Sequence, residues 1–406
     1  SRFYGRRAGY FAGLLYLTLP GISFSSAIIS TDPPLLTFWS AGLYALVRLI
    51  DARGRTYSWW LALGLAMGFG LLSKYAMGFF ILALALWLAL DREGRHRLLG
   101  DPAGKAGMAL AAVTTLVLYL PNLWWNVGTR FVTYAHTAAN ANFGSRLFRP
   151  DKLADFVLSQ FGVFGPIVFA VLLWLLFRPD RWLRDPRTRM LATFVLAILV
   201  PIVVLSFVSR AHANWAATAY VAGSIWVAGA LAGRMGRLAI AGSIALHTVV
   251  AVTVMGGLVG QKEPGRYWGV AVPSRLDPYK HYGGWGAIGA EVSRLRARFP
   301  GLPLLGRDRM MVASSLYYVR PWPVPIYAWH PDERIKNHFR LTRPWPDKIG
   351  SDALVISRRR NSSRVLERFR SYRLVATITV PIATDTRRRV RVFHAKGFLG
   401  YKRVQP

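Results

Sequence analysis

The sequence has no cysteine and few acidic residues. Among its 406 residues, 19 are Asp or Glu and 52 are Lys or Arg, so the formal net charge is +33. The lack of cysteine excludes disulfides and paired-cysteine metal sites, and it permits an oxidising compartment without identifying one. Because the cations are largely divided among loops between apolar runs, we do not expect a nucleic-acid binder. With 53% hydrophobic residues, the composition indicates a polytopic membrane protein that handles anionic lipids or phosphates.

Several catalytic motifs are also absent. The sequence has no H-E-x-x-H metal motif, no G-x-S-x-G nucleophile motif and no phosphate loop. It has no D-x-D pair to hold the metal of a nucleotide sugar, which favours a donor delivered without a nucleotide. Residues 284–289 match G-x-G-x-x-G, but the segment before them is a poor strand, so the dinucleotide-binding context is lacking.

Lys74 lies near the middle of a run from Tyr57 to Leu90 that is otherwise uncharged. A single helix of this length would reach about 50 Å, whereas the hydrocarbon core of a bilayer is about 30 Å thick. The run therefore predicts a helical hairpin that turns at Ser73, Lys74 and Tyr75. A cation at such a turn lies at one membrane face and indicates an anion site, although snorkelling to the interface is an alternative.

Hydropathy predicts about nine spans, so the expected fold class is a membrane all-α helical bundle. The spans lie near 8–28, 35–50, 57–73, 75–90, 106–125, 155–177, 190–208, 214–232 and 237–259. Alternate loops carry most of the cations, and the positive-inside rule places that set in the cytoplasm by roughly fifteen cations to six. This count requires the hairpin at Lys74. The segment around Asp32, Lys74 itself, the loop 126–153 and the segment 209–214 then share the outer face.

The composition changes after about residue 260, and no later run is long enough to span a membrane. Helical patterns are present at 284–299, 308–319 and 361–370, and two β-rich runs follow at 372–382 and 389–394. We therefore expect a transmembrane domain over residues 1–260 and a small α/β domain over residues 261–406. An odd number of spans from a cytoplasmic start puts this second domain outside, in the periplasm if the cell is Gram-negative.

Asp32 is the only acidic residue between Ser1 and Ile50, and two prolines follow it. Proline keeps the segment out of a helix interior, so we expect the carboxylate at the junction between two spans. It could act as a general base, position an acceptor amine or hydroxyl, or bind a divalent cation. The alternative is an N-cap for the helix that begins near Pro33, and the two roles are compatible.

Other polar residues are expected on the same face. Arg210 and His212 follow one apolar span, and Asn214 opens the next. Arg210 could bind a phosphate through a bidentate contact, and His212 could ligate a metal or bond a sugar hydroxyl. An ordinary polar turn between two helices is the alternative.

The loop 126–153 is long and polar, which is typical of lids and binding elements. It contains Tyr134 and His136, and Gln160 near the start of the next span could face the same cavity. We count these three residues among the candidate substrate-binding residues. A lid over the site would exclude water, which would otherwise hydrolyse an activated donor.

Three segments resemble the bacterial integral-membrane glycosyltransferases of the protein-mannosyltransferase-like family, which includes the aminoarabinose transferase acting on lipid A. They are residues 28–36 around Asp32, residues 70–74, and residues 210–215. The resemblance covers about residues 1–260, and it implies a GT-C-type fold. It also implies transfer of a sugar from a polyprenyl-phosphate donor to a lipid, glycan or protein acceptor, on the periplasmic face of the bacterial inner membrane.

The resemblance also implies residue roles. Asp32 matches the family's acidic residue in a T-x-D-like segment, and Lys74 matches the basic residue of its L-[ST]-K segment, whereas Arg210 and His212 match loosely. In a direct displacement with inversion at the anomeric carbon, Lys74 and Arg210 would stabilise the leaving phosphate. Asp32 would orient or deprotonate the acceptor, or it would hold a divalent metal for which His212 is a second candidate ligand.

One departure from the family concerns the start of the chain. The family has a further acidic motif in an outer loop between two spans that would precede Ser1. The chain shows no signal peptide, and Arg2, Arg6 and Arg7 lead directly into an apolar run. We therefore expect more sequence upstream, and with it a principal catalytic acid.

Two other classes of protein share these features. One is a polytopic lipid or solute transporter, and the other is a non-catalytic envelope assembly factor that binds a partner through its outer domain. Transporters often show internal repeats and helices broken at mid-membrane. The sequence shows no repeat, and its polar residues gather on one side, which favours an enzyme.

Overall fold

The computed structural model describes residues 2–53, 56–140, 148–209, 211–277, 279–332, 335, 337–359 and 361–401. The chain divides into two compact units, residues 1–255 and 256–406. The first unit is helical, and the second contains a mixed sheet with helices on its faces. The boundary falls inside the last helix of the first unit, close to the change in composition at residue 260.

The first unit is built from helices, most of which are apolar. They are α1 (Gly5–Thr18), α2 (Pro20–Ser26), α3 (Asp32–Asp51), α4 (Tyr57–Ser73), α5 (Gly78–Leu90), α6 (Arg92–Leu99), α7 (Pro102–Gly128), α8 (Val132–Asn140), α9 (Pro150–Val163), α10 (Pro166–Leu176), α11 (Pro179–Trp182), α12 (Pro186–Val208), α13 (Ala219–Ala230) and α14 (Arg234–Val259), with 3-10 turns at Tyr75–Met77 and Ala213–Ala216. Proline lies in the first turn of many of these helices. Its missing N–H is tolerated there, because the first N–H groups of a helix have no intrahelical partner.

Helices α3 and α4 pack antiparallel. Phe38 stacks on Phe69 with ring centroids 5.5 Å apart, and Tyr44 meets Trp59 edge to face, also at 5.5 Å. These contacts pair later residues of α3 with earlier residues of α4. The first residue of α3 is therefore brought to the last turn of α4.

Helices α4 and α7 run parallel and approach closely. A Cβ atom on Gly107 would lie 2.0 Å from the Trp60 ring, and one on Gly68 would lie 2.7 Å from Leu118, so a larger residue does not fit at either position. Because both helices run in the same direction, the residues between them must carry the chain back to its starting end. The chain therefore reverses after α4, as the hairpin predicted at Lys74 requires.

The basic loops of the first unit gather at one end, which we call the basic end. There Arg2 pairs with Asp51 at 3.0 Å, and Arg189 pairs with Asp91 at 2.9 Å. The start of α3 and the end of α4 lie at the opposite end, which we call the polar end. The described contacts thus separate the two groups of loops that the cation count distinguishes.

Fewer of the described helices meet the length and apolarity needed for a span than hydropathy predicts. Among the described residues, four helices are long and apolar enough to cross a membrane, or six if each of two bent helix pairs is one span. Helices α4 and α13 are apolar but have 17 and 12 residues, which at about 1.5 Å per residue is short for a bilayer core of about 30 Å. The nine predicted spans are therefore not confirmed as a count.

Two of the predicted spans are interrupted. The span expected at 8–28 is broken where α1 ends and α2 begins at Pro20. The span expected at 155–177 consists of α9 and α10, which meet at an angle of 120°. Gly165 occupies the bend with φ +89°, where a Cβ atom would lie 2.0 Å from the His247 ring, so both the backbone conformation and the packing favour glycine.

The second unit has a five-stranded sheet in the order β5-β4-β6-β8-β7 and a small three-stranded sheet, β1-β2-β3. Its elements are β1 (Gln261–Glu263), β2 (Arg266–Tyr267), β3 (Val270–Ala271), α15 (Trp285–Ala297), β4 (Leu304–Gly306), α16 (Arg309–Tyr318), β5 (Ile326–Ala328), α17 (His338–Thr342), β6 (Ala353–Ser357), α18 (Ser363–Leu366), β7 (Phe369–Pro381) and β8 (Arg387–Phe398). Strands β5, β4 and β6 are parallel, and β8 is antiparallel to both β6 and β7.

Apolar side chains cover both faces of the larger sheet. Ile356 of β6 packs with Val312 of α16 on one face, and Val355 packs with Val365 of α18 on the other. Successive residues of a strand point to opposite faces, so β6 contributes to both layers and is buried along its whole length. Helices α16 and α18 consequently lie on opposite faces of the sheet.

Strands β1, β2 and β3 and helix α17 of the second unit were not predicted, whereas of the five elements predicted from the sequence for this unit, α15, α16, β7 and β8 lie close to the predicted positions. The exception is the helix expected at 361–370, because α18 ends at Leu366 and β7 begins at Phe369. Phe369 pairs with Phe398 of β8, so cross-strand pairing ends the helix early. Tertiary contacts of this kind commonly override a short helical pattern.

The ion pair between Arg189 and Asp91 generates a testable prediction. The Asp91 side chain is only 1% exposed, and replacing Arg189 with Met leaves a buried carboxylate without its partner. We expect Arg189→Met to lower the free energy of unfolding by about 3 kcal/mol, as for other broken buried pairs. The measurement is denaturant unfolding of the purified protein in a neutral detergent.

The matched control is Arg184→Met, which changes an exposed arginine at the same end and should leave stability within about 0.5 kcal/mol. The double variant Arg189→Met with Asp91→Asn should recover part of the loss, because no charge is then left unpaired. An equal effect of the two single variants would contradict the proposed importance of this pair.

Candidate functional site

Asp32 is the first residue of α3 and is largely buried, with 8% of the residue exposed. Pro33 and Pro34 follow it in the first helical turn, which fixes the backbone at this point. Its carboxylate oxygens accept hydrogen bonds from Lys74 and Asn214. Thr31 holds the N-cap position and makes no side-chain capping bond. The structure therefore directs the Asp32 carboxylate to other segments rather than to its own helix.

Lys74 lies directly after the last residue of α4, in an extended conformation with φ −162° and ψ 136°. Its backbone N–H still donates to the Gly70 carbonyl at 2.9 Å, so the helix is closed before the chain turns. The Nζ atom donates to Oδ1 of Asp32 at 2.5 Å, and the side chain is 29% exposed. The turn thus places the cation against the carboxylate rather than leaving it to extend freely into the interface.

Asn214 reaches the same carboxylate from a third segment. It lies in the 3-10 turn between α12 and α13, and its Nδ2 atom donates to Oδ2 of Asp32 at 2.7 Å. We call Asp32, Lys74 and Asn214 the Asp–Lys–Asn cluster. Lys74 is 42 residues from Asp32 in the sequence, and Asn214 is 182 residues from it. These three residues are therefore brought together by the fold alone.

A second polar group begins at Tyr75, next to Lys74. The Tyr75 hydroxyl lies 2.6 Å from Oγ1 of Thr133 and donates to Oδ1 of Asn122 at 3.2 Å. Thr133 in turn donates to Oδ1 of Asn126 at 2.5 Å, and the Tyr134 ring stacks on Tyr75 with centroids 5.1 Å apart. These contacts connect the residue after Lys74 to α7 and α8.

Sequence reasoning included Tyr134 but missed Tyr75, Asn122, Asn126 and Thr133. One signal was present, because Tyr119, Asn122 and Asn126 recur at helical spacing within an apolar helix. Asn126 is fully buried, and a buried amide needs hydrogen-bond partners. Tyr119 joins the same group, since its hydroxyl lies 2.5 Å from that of Tyr134.

The remaining predicted residues have different positions. Gln160 is buried at 1% exposure, accepts from the Tyr220 hydroxyl at 2.6 Å and donates to the Phe156 carbonyl at 3.0 Å. Its amide is thus engaged between α9 and α13, which assigns it to the core and not to the predicted cavity. His136 lies in α8, one turn after Thr133, and is partly exposed.

His212 and Arg210 belong to the segment before Asn214. His212 is exposed and contacts the Trp215 ring edge to face at 5.3 Å. Arg210 lies outside the described residues, so its predicted contact with phosphate stays a prediction. The same holds for the part of the loop 126–153 between residues 141 and 147.

The cluster does not fit the predicted divalent metal. Both oxygens of Asp32 already accept from nitrogen donors, and a metal would need further carboxylate or imidazole ligands nearby. Within the described parts of the chain, no group of three or more His, Asp or Glu side chains could hold a metal ion. The expectation of a metal at Asp32 and His212 is therefore not supported.

Comparisons with known proteins show which families and structures the chain resembles. Residues 1–125, which include Asp32 and Lys74, match the model of the dolichyl-phosphate-mannose-protein mannosyltransferase family. The lipid A galacturonosyltransferase RgtD of Rhizobium johnstonii is 35% identical over 225 residues, which are 55% of this chain and 46% of that protein. The chain thus matches less than half the length of this curated relative.

A solved structure shares the fold. The crystal structure of ArnT from Cupriavidus metallidurans bound to undecaprenyl phosphate matches with a TM-score of 0.59 and 19% identity, over 96% of this chain and 80% of that chain. The fold is therefore of the GT-C type found in membrane glycosyltransferases. These similarities agree with the resemblance seen in the sequence: residues 1–125 match the family model, and 225 residues match RgtD.

The contacts of Tyr75 predict how α8 is held. Tyr75→Phe removes the hydroxyl bonds to Asn122 and Thr133 but keeps the ring that stacks on Tyr134. Because the loss of these hydrogen bonds lowers the free energy of local opening of α8 by about 1 kcal/mol, we expect backbone amides of α8 to exchange with deuterium about fivefold faster. Hydrogen–deuterium exchange with mass spectrometry on the purified protein measures this rate.

The control is Tyr10→Phe, which removes a hydroxyl from a tyrosine of α1 that is 67% exposed. It should leave exchange in α8 unchanged. Unaltered protection of α8 in Tyr75→Phe would show that the hydroxyl bonds do not hold this helix.

Proposed function

We propose that the protein is an integral-membrane glycosyltransferase that moves a sugar from a polyprenyl-phosphate donor to lipid A. Four findings support this proposal: the GT-C-type fold, the family match over Asp32 and Lys74, the lipid A acceptor in the name of the curated relative, and the undecaprenyl phosphate bound to the structural relative. The observation that carries it is the Asp–Lys–Asn cluster, since it places a cation and a carboxylate at the polar end of the bundle. A glycan or a protein is the alternative acceptor.

The cation of the cluster suits the leaving group. An ammonium group can donate three hydrogen bonds, and the recorded contact of Lys74 with Asp32 uses one of them. The other two can bind the donor's phosphate. As the bond between the sugar's anomeric carbon and the phosphate oxygen breaks, negative charge grows on that oxygen, so a fixed cation stabilises the transition state more than the ground state.

The carboxylate suits the acceptor. In the proposed step the acceptor oxygen forms a bond to the anomeric carbon while the bond to the phosphate oxygen breaks, and polyprenyl phosphate leaves with the electron pair. The acceptor's proton passes to Asp32, whose two oxygens each keep a lone pair beside the hydrogen bond from Lys74 or Asn214. Asn214, bonded to the second oxygen of Asp32, holds the carboxylate in position.

The polar group around Tyr75 supports a role for α8 beside the cluster. Its aromatic rings and amides connect the residue after Lys74 to the segment that sequence reasoning treats as a lid. We propose that this segment restricts water near the donor, since water competes with the acceptor for the anomeric carbon. Tyr134 and His136, both in α8, remain candidates for contact with the substrate.

The proposed location follows from the same features. Helices of the required length and apolarity are present, and the basic end carries the loops that the positive-inside rule assigns to the cytoplasm. We propose that the protein lies in a bacterial inner membrane with the polar end, residues 261–406 and the reaction on the periplasmic side.

Two substitutions test the active centre. In a strain that depends on this gene for the modification, Asp32→Asn and Lys74→Ala should each reduce the modified lipid A at least about a hundredfold, because loss of a general base or of an oxyanion donor typically has this size. Mass spectrometry of extracted lipid A measures the product. Protein levels in isolated membranes establish that the variants still fold.

The charge-matched controls are Asp51→Asn and Lys105→Ala, which lie away from the cluster and should preserve the modification. If the Asp32→Asn and Lys74→Ala variants both modify lipid A as fully as the unchanged protein, the proposed active centre is wrong. A transporter would instead move labelled lipid across vesicles that contain the purified protein without forming a transfer product, and an assembly factor would keep its function in both variants.

A further inference from the structure

The carboxyl ends of β4 and β6 form a crevice in the second unit. The two strands are adjacent and parallel, but the chain leaves them in opposite directions. After β4 it passes through α16 to β5 on one side of β4, and after β6 it passes through α18 to β7 and β8 on the other. Helices α16 and α18 lie on opposite faces of the sheet, so the two connections leave the gap between the strand ends in different directions. Ligands of open α/β sheets bind at such switch points.

Arginine side chains follow both strands at this crevice. Arg307 comes directly after β4, and its N–H donates to the Ile356 carbonyl of β6 at 3.4 Å. Its guanidinium donates to the carbonyl of Asn361. Arg359 follows β6 by two residues and is exposed. Residues from the two strand ends are thus connected across the crevice.

Two further arginines approach the same turn. Arg391 of β8 pairs with Ser357 at the end of β6, and its Nη1 atom donates to the Arg359 carbonyl at 3.5 Å. Arg364 lies on the exposed side of α18. Burial, followed by the charges of Arg359 and Arg364, lowers the pKa of the Arg307 guanidinium. The positive charges of Arg359 and Arg364 therefore lie close enough to act on Arg307.

The Asp308 carboxylate offsets part of this charge, since its own effect is to raise the pKa of the Arg307 guanidinium, but a single carboxylate leaves the four arginines with a net positive charge. Asp308 accepts from the N–H groups of Met310 and Met311 at the start of α16, and its other oxygen accepts from Arg358 at 3.3 Å. Both oxygens are therefore used by groups outside the four arginines. A cluster of like charges at a concave site raises the local positive potential and attracts anions.

We propose that Arg307, Arg359, Arg364 and Arg391 form a binding site for a phosphate monoester at the carboxyl ends of β4 and β6. Guanidinium groups match the oxygens of phosphate in bidentate contacts, and arginine is therefore the preferred residue for such recognition. The phosphate belongs to a soluble sugar phosphate or to a lipid headgroup, which carry the same chemical group. This site lies within the second unit and does not depend on the proposed transfer reaction.

Calorimetric titration of the full chain tests the site. The protein is held in nanodiscs of neutral phosphatidylcholine, and glucose 6-phosphate is the probe, with glucose as its uncharged counterpart. We expect glucose 6-phosphate to bind, glucose not to bind, and the double variant Arg359→Gln with Arg364→Gln to weaken binding at least tenfold. Asp32→Asn should bind the probe as the unchanged protein does, which separates this site from the active centre.

The matched control is Arg294→Gln with Arg298→Gln, which removes the same charge from two exposed arginines, one in α15 and one directly after it. It should change the affinity less than twofold. If both double variants weaken binding of glucose 6-phosphate equally, the binding comes from the overall positive charge of the second unit and the proposed site is wrong. The absence of binding by the unchanged protein would also overturn the proposal. Circular dichroism of each variant checks that the second unit remains folded.

Addition of phosphatidic acid to the nanodiscs distinguishes the two sources of phosphate. If a lipid headgroup is the ligand, phosphatidic acid competes, and the unchanged protein binds glucose 6-phosphate at least tenfold more weakly. In the Arg359→Gln with Arg364→Gln variant, phosphatidic acid then no longer changes the affinity for glucose 6-phosphate. If a sugar phosphate is the ligand, the lipid leaves its affinity within twofold. Competition that persists in the double variant would contradict the assigned residues.

Discussion

The contact between Asp32 and Lys74 is the interaction on which the polar end of the bundle depends. Each side chain alone would place an uncompensated charge beside a largely apolar bundle, and such groups are rare at membrane depth unless they are paired. The pair requires α3 and α4 to be antiparallel and α4 to end at Ser73. A pair that is largely withdrawn from water gains little net stability after desolvation.

The environment of the pair is organised by neutral hydrogen-bonding groups. Asn214 takes the second oxygen of Asp32, while Tyr75 connects the turn after Lys74 to Asn122 and Thr133. Amides and hydroxyls can position a carboxylate or a lysine without adding a competing charge. Lys74 is therefore the one cationic side chain of the Asp–Lys–Asn cluster.

The sequence was informative where a single residue had few possible explanations. Asp32 stood alone among apolar residues and Lys74 interrupted a run too long for one span, so both could be identified, and their convergence followed from counting cations in alternate loops. Gln160 looked similar, yet its polarity is satisfied by Tyr220. The sequence does not reveal that the side chain of Gln160 faces the Tyr220 hydroxyl and not a cavity. The bend at Gly165 and the short α13 were missed for a related reason, since hydropathy measures apolar length and not direction.

The glycines between α4 and α7 act at a distance from the chemistry. Gly68 and Gly107 set how closely the two helices approach, because each faces a side chain that leaves no space for a Cβ atom. The helices are parallel, so this spacing is carried along their axes to the ends that present Tyr75 and Asn122. The spacing between α4 and α7, which the two glycines set, therefore contributes to how Tyr75 and Asn122 are placed relative to each other.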